Sequence, residues 1–286
     1  MITMKLLNLI LLLLLCSQAS AYVPNLDMIL SRMSRNHGYG FYFVEQEVVF
    51  PNEPTPYIVK EHWTVENDNT VKLRVYGQNE LEGQLQATFV YRGNKKYFLD
   101  YVGTKKVTTK NQDWLHPYFF FRDVKKIKNK LFTQNIIPAS ALEDKALNFN
   151  KKLEAGDFKQ DYVKLARNGG KVSYFVGIPS VANNLKPGLW SIQDKFHLTK
   201  LRLKSGSELD AQNHGRYLRG LWLPKTHRIH FDDNFIQVNL RRVKGLSGSN
   251  SLKKKMKHTA LDKTVQADIT ILPDIKLIQE FYKRFR

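Results

Sequence analysis

The sequence has a single cysteine, Cys16, at the end of an apolar N-terminal run. If that run is removed on export, what remains can form no disulfide, thiolate metal site or thiol nucleophile, so a packed core must stabilise it. Long hydrophobic runs are lacking too. Leu6 to Leu15, interrupted by Asn8, falls well short of the roughly 20 residues that span a bilayer. No H-E-x-x-H and no G-x-S-x-G occurs, which removes the zincin and nucleophile-elbow patterns. Gly38-Tyr39-Gly40 lacks the third glycine and the preceding strand of a nucleotide-binding turn. Acidic residues are scarce: 26 Asp and Glu stand against 45 Lys and Arg, a formal charge of +19. Such a surface favours polyanionic neighbours such as phospholipid headgroups, lipopolysaccharide phosphates or nucleic acid, although a generic basic exterior has the same composition.

What is present begins with an export signal. Lys5 supplies a positive start, Leu6 to Leu15 an apolar centre, and Ala19-Ser20-Ala21 a small-x-small site, so cleavage is expected between Ala21 and Tyr22. The alternative of a membrane anchor is opposed by the shortness of the run. Lipidation of Cys16 is opposed by the leucines just before it, where lipoprotein processing wants small residues. The expected location is the periplasm or the exterior. An apolar fraction of 42% is ordinary for a globular protein, and about one large domain's worth of chain follows the signal.

Along that chain, Leu26, Ile29, Leu30 and Met33 form an i, i+3, i+4, i+7 stripe after Asn25, a plausible N-cap. The period then changes to two. Tyr57, Val59, Trp63 and Val65 alternate with Lys60, His62 and Thr64, with Glu61 the exception on the apolar side. Val71, Leu73 and Val75 repeat the pattern after a Glu66 to Asn69 turn, which makes a hairpin. A second hairpin joins Leu85, Ala87, Phe89 and Tyr91 to Tyr97, Leu99 and Tyr101 through Arg92-Gly93-Asn94-Lys95. The first half thus reads as an antiparallel meander.

From Trp114 to Ala166 the two-residue period is lost. Pro138 to Glu143 reads as a helix start with Ser140 and Glu143 as a capping box. A further helix is expected from Asp157 through Phe158, Tyr162 and Leu165, ended by Gly169-Gly170. Strands resume at residues 172–178, 189–194, 196–203, 208–212, 216–223 and 228–231. The series closes with Phe235 to Val243, where Ile236, Val238 and Leu240 share a face. Helices inserted in a long antiparallel sheet predict an α+β architecture.

An N-terminal amphipathic helix, successive hairpins, a helical insertion and the ending Gly220-Leu221-Trp222-Leu223-Pro224-Lys225, Arg228-Ile229-His230-Phe231, Asp232-Asp233-Asn234 and Phe235 to Val243 resemble the outer-membrane lipoprotein carrier and lipoprotein-sorting superfamily. The resemblance is one of order and pattern from about Pro24 to Val243. It implies a strongly curved antiparallel sheet, an incomplete β-barrel, with an N-terminal helix and an inserted helical lid. The expected organisation is a signal peptide over 1–21, the incomplete barrel over 22–244, and a basic linker with a C-terminal amphipathic helix over 245–286.

A curved sheet presents alternate side chains to its concave face, and where no second sheet covers that face a lid or an acyl chain must do so. The candidate lining is Tyr57, Val59, Trp63, Val65, Val71, Leu73, Val75, Phe89, Tyr91, Ile236, Val238 and Leu240. The bland reading of the same residues is an ordinary core. No catalytic residue and no cofactor is expected. His227 and His230, with Asp232, do not make a metal site on a strand, because i and i+3 point to opposite faces. His62 reads as passive.

The tail offers Lys253, Lys254, Lys255 and Lys257 after a small polar linker, Gly245 to Ser251. A helix from Ile275 to Phe285 then carries Ile275, Ile278, Phe281, Tyr282 and Phe285 on one side, with Lys283, Arg284 and Arg286 complementing its dipole. It is either a docking element for an anionic surface or a helix packed on the barrel. Two functions stay open: a non-enzymatic carrier or sensor of a lipid or acylated protein, or a basic interaction protein binding a polyanion or a protein partner. In the second, nucleic acid is possible, with Tyr217, Trp222 and Phe235 as stacking candidates.

Overall fold

The structure is a computed structural model that describes residues 23–99, 104–111, 113–143, 161–178, 186–257, 259 and 275–286. The export signal, its cleavage site and Cys16 lie outside the described residues.

Helix α1 (Leu26–Arg35) forms where the stripe predicts it, with the Asn25 side chain accepting from the Met28 amide. The chain then enters β1 (Phe41–Phe50), β2 (Tyr57–Asn67), β3 (Thr70–Gly77), β4 (Gln86–Arg92), β5 (Lys95–Leu99) and β6 (Lys105–Thr109). Two helices, α2 (Pro117–Phe120) and α3 (Val124–Thr133), fill the centre. The second half supplies β7 (Val163–Asn168), β8 (Lys171–Val176), β9 (Gly188–Ile192), β10 (Leu198–Arg202), β11 (Glu208–Arg216), β12 (Trp222–Phe231) and β13 (Asn234–Leu246). Helices α4 (Asn250–Lys255) and α5 (Lys276–Phe285) follow.

Among the described residues, the strands join into one 13-stranded antiparallel sheet in the order β6-β5-β4-β3-β2-β1-β13-β12-β11-β10-β9-β8-β7. Each half of the chain is a meander, and β1 paired with β13 joins the two halves. Strands β6 and β7 stand at opposite edges, so the sheet does not close. The expected α+β architecture is present: an open sheet with α1, α2, α3 and α5 packed on one face.

Alternation decides which side chains meet those helices. On β1, Tyr42, Val44, Gln46, Val48 and Phe50 are buried while the residues between them are half-exposed. Val59, Glu61, Trp63 and Val65 continue this inner row on β2, and Val71, Leu73 and Val75 on β3. On β13, Ile236, Val238 and Leu240 lie in register with β1 up to Gln46, where the ladder slips by one residue and leaves Arg241 bulged. A bulge flips the alternation beyond it, so Val243 rather than Arg242 continues the inner row opposite Val44. Arg241 and Arg242 turn outward onto Glu47 and Glu45.

Three segments depart from the sequence reading. Val163–Asn168, expected to be helical, is strand β7, and Gly169-Gly170 is not a helix end but the turn of the β7–β8 hairpin, with φ of 55° and 78°. Both values are positive, as a two-residue hairpin turn requires, and glycine adopts them without a Cβ clash. The helix predicted from Pro138 is a single 3-10 turn, Ala139–Leu142, without a side-chain cap. Arg216 to Leu223 is not one strand: residues 217–221 make a corner between β11 and β12, with Arg219 at φ 56°. The Asp157 and Phe158 positions of the expected helix lie outside the described residues.

Candidate functional site

The inner face of the sheet is where the sequence places its lining residues, and the structure puts all of them in one core. Val59, Trp63, Val65, Val71, Leu73, Val75, Phe89, Tyr91, Ile236 and Val238 are buried there, while Tyr57 and Leu240 are half-buried against it. What covers them are the chain's own helices. Leu26, Ile29, Leu30 and Met33 of α1, and Ile127 and Leu131 of α3, pack into the same core, and an ion pair from Lys128 to Asp27 joins these two helices.

Helix α5 covers the rest. Its stripe Ile278, Phe281, Tyr282 and Phe285 is fully buried. Phe281 meets Phe50 edge-on at 5.2 Å, Phe285 meets Phe231 at 5.0 Å, and Tyr282 stacks 6.3 Å from Phe89. The helix therefore bridges β1, β4 and β12 across the sheet.

An ionic network ends this helix inside the core. The Arg286 guanidinium, 4% exposed, donates from Nε to both Glu61 oxygens at 2.9 and 3.2 Å and lies 4.7 Å from the Phe281 ring centroid. Gln46 and the Trp63 indole also donate to Glu61 Oε2, at 2.6 and 3.0 Å. Lys96 Nζ donates to the carbonyls of Tyr282 and Arg286, at 3.1 and 2.7 Å, which satisfies acceptors that a helix C-terminus leaves open. Burial and then the nearby Arg286 lower the Lys96 pKa to about 7. Arg284 bonds Asp113 at 2.8 Å and Asp232 at 3.2 Å from the rim.

Glu61 is the residue that breaks the apolar alternation of β2, and a buried carboxylate requires partners. The sequence shows that requirement without showing who meets it. Arg286, distant in sequence, is legible only as a cation near a helix end.

Around the network the core is aromatic and polar. His116 lies 3.7 Å from the Trp63 ring centroid and its Nε2 has no hydrogen-bond partner; burial and then Arg286 and Lys110 hold it neutral, well below its ordinary pKa. Nη2 of Arg286 is likewise without a partner. A cavity of about 30 Å³ between His116, His227, Gln46 and Arg286 has room for about one water molecule.

Two larger grooves open at the edge of the sheet that α5 leaves uncovered. One, about 500 Å³, is lined by Phe89, Phe98, Tyr282, Lys96, Lys110 and Lys283 among others. The second, about 580 Å³, shares Lys110 and Asn111 with it and adds Trp114, Lys126 and Lys130.

His227 and His230 do point to opposite faces: His227 is buried beside Phe119, whereas His230 is exposed and packs on Phe235. Among the described residues no group of three or more His, Cys, Asp or Glu could hold a metal ion. His62 sits on the outer face between Phe43 and Tyr76, 3.9 Å from Glu45. In the tail, Lys253, Lys254, Lys255 and Lys257 are exposed on and just after α4, and Met256 between them is buried.

Solved structures share this open antiparallel sheet with short helices across most of the chain. A domain from Vibrio parahaemolyticus assigned provisionally to outer membrane lipoprotein sorting matches 83% of this chain and 98% of its own length, at 12% identity and a TM-score of 0.50. A LolA superfamily protein from Nitrosomonas europaea matches 82% and 98%, at 10% identity and 0.51. A DUF1329 family protein from Desulfovibrio piger matches 82% and 97%, at 9% identity and 0.50. The chain has their fold. No protein-family model and no curated protein matches the sequence.

Proposed function

We propose that this protein is a non-enzymatic carrier or sensor of a lipid or acylated protein, working in the periplasm or outside the cell after loss of an N-terminal signal. The observation that carries the reading is the cover of the sheet. Its apolar inner face is closed by separate short helices, not by a second sheet, and one of them, α5, is only 10 residues long. A helix of that length is marginal on its own, so its place depends on what it packs against. An acyl chain offers the same face a rival cover, at about 0.8 kcal/mol for each buried methylene. The lining would be Tyr57, Val59, Trp63, Val65, Leu73, Val75, Phe89, Tyr91, Ile236, Val238 and Leu240, exposed to ligand as α5 moves aside. The fold shared with lipoprotein-sorting and LolA superfamily structures supports this.

Native mass spectrometry of the purified protein tests it. Bound lipid, and a change in Trp63 fluorescence when a fatty-acyl probe is added, are the expected results. A protein that stays bare at saturating probe would sink the reading.

One observation favours a second role beside the first. Lys253, Lys254, Lys255 and Lys257 are exposed, and among the described residues none is in an ion pair. Near an anionic membrane each contributes about 1 kcal/mol. Changing all four to glutamine is expected to weaken co-sedimentation with phosphatidylglycerol vesicles and to leave the melting curve in place. Unchanged co-sedimentation would remove the surface-docking role.

A further inference from the structure

We infer that the groove between α5 and the β4–β6 edge is a binding site for the phosphate head of an anionic amphiphile. The inference goes beyond the carrier reading and stands without it.

The chemistry of the walls is unusual for a protein surface. The groove has an apolar floor, with Phe89 and Phe98 6.2 Å apart on neighbouring strands and Tyr282 stacked on Phe89 from the helix. Its rim carries Lys96, Lys110 and Lys283, and Arg286 reaches it from the core. Among the described residues no Asp or Glu side chain lines it. Lys96, Lys110 and Lys283 gather there while Arg286 behind them is already paired with Glu61. The three lysines repel one another, and an arrangement of that kind is stabilised by a ligand that supplies the missing charge.

The donors are placed to meet such a ligand. When protonated, Lys96 Nζ uses two of its three protons on the main-chain oxygens that end α5, which leaves the third for a ligand. Lys110 Nζ lies 3.6 Å from the Trp114 ring centroid and makes no ion pair among the described residues. Arg286 Nη2 is buried and without a partner. Burial, with Lys130 and Lys126 near it, lowers the pKa of Lys110 to about 7, so an anion at this point would regain charge that the fold suppresses.

A phosphate monoester offers three strong acceptor oxygens to these donors. A volume of about 500 Å³ is within the range of small-molecule sites, and the aromatic floor suits the first carbons of an alkyl chain.

The test is titration calorimetry with three probes: monododecyl phosphate, inorganic phosphate and dodecyl maltoside. Lys110→Gln and Lys283→Gln remove rim charge without breaking a side-chain hydrogen bond among the described residues, and each is expected to weaken monododecyl phosphate about tenfold or more. Lys225→Gln, exposed on β12 and outside the groove, is expected to change nothing, and dodecyl maltoside to be indifferent to all three variants. Inorganic phosphate is expected to bind more weakly than monododecyl phosphate, because it leaves the aromatic floor unused. The inference is overturned if both rim variants bind monododecyl phosphate like the parent, or if Lys225→Gln weakens it as much as they do. Equal affinity for inorganic phosphate overturns it as well. Failure of acyl-probe uptake with Lys110-dependent phosphate binding intact refutes the carrier reading alone.

Discussion

Helices α1 and α5 are both ten residues long, both amphipathic and both seated on the inner face, yet they are held there by different forces. Helix α1 is capped by Asn25, buries an aliphatic stripe, and packs beside α3. Helix α5 has Ile275 at its N-cap position with no side-chain bond, buries three aromatic rings and one isoleucine, and ends in the buried Arg286–Glu61 pair. Removing apolar area from α1 costs in proportion to the area removed. Removing one partner of the α5 pair leaves a charge stranded in the core, which costs far more than the pair itself contributes. One cover is thus a piece of the core, and the other is tied by a charge.

The largest effect should come from cutting that tie. Glu61→Leu leaves Arg286 in an apolar site, and we expect a loss of about 3–5 kcal/mol in denaturant-induced unfolding. The pair Glu61→Leu with Arg286→Leu should recover most of it, because neither member of the pair is then left stranded. An equal loss in the single and the double variant would break the comparison, since the ion pair would then not be what distinguishes α5.

Acid should act on the same core with a smaller step for each group. Burial holds His37, just after α1, at a pKa of about 4, although the Phe121 carbonyl opposes the shift. Above the unfolded value of about 6.5 the imidazole is neutral in both states and its contribution is complete. Below it the unfolded chain takes up the proton first, so stability falls as pH drops from about 6.5 toward 4. By pH 5 the loss is about 2 kcal/mol for His37 alone. His227, held at about 3 by burial and by Arg286, adds a loss of the same sign beneath α5. Unfolding free energies measured from pH 7 to pH 5 check this: His37→Asn should reduce the slope by close to one proton, and a flat parent profile would contradict the burial of both imidazoles.

Much of this was legible in the sequence, and the parts that were not share a cause. Period-two runs such as Tyr57 to Val65 and Val71 to Val75 became β2 and β3 because one face was apolar and the other was not. The N-terminal helix followed from Asn25 and its stripe, and α5 from Ile278, Phe281, Tyr282 and Phe285. Val163–Asn168 reads as helix in the sequence because Tyr162 and Leu165 also fit a helical spacing, and only pairing with β8 decides for the strand. The candidate lining was visible as a row of residues. Its neighbours were not, because the alternation of a strand shows which side chains share a face and is silent about what lies upon it. That Arg286 meets Glu61, or that Lys96 meets the end of α5, depends on contacts between residues far apart in the chain.

The smallest effect should separate the two helices at their first turns. Asn25 Oδ1 accepts from the Met28 amide at 2.8 Å, so it satisfies one of the donors that every helix start leaves open, and it does so beside the buried Leu26. Asn25→Ala removes that acceptor, and we expect a loss of about 1 kcal/mol. Asn25→Asp should retain the bond and add a favourable charge at the positive end of the helix dipole, so its stability should equal or slightly exceed the parent's. Neither change touches α5, whose start has no side-chain cap to lose. Hydrogen exchange resolves the two: protection in residues 29–35 should fall in Asn25→Ala while protection in residues 279–285 stays as it was. If both segments lose protection together, α1 and α5 open as one unit, and the charge that ties α5 does not make it the separately movable cover.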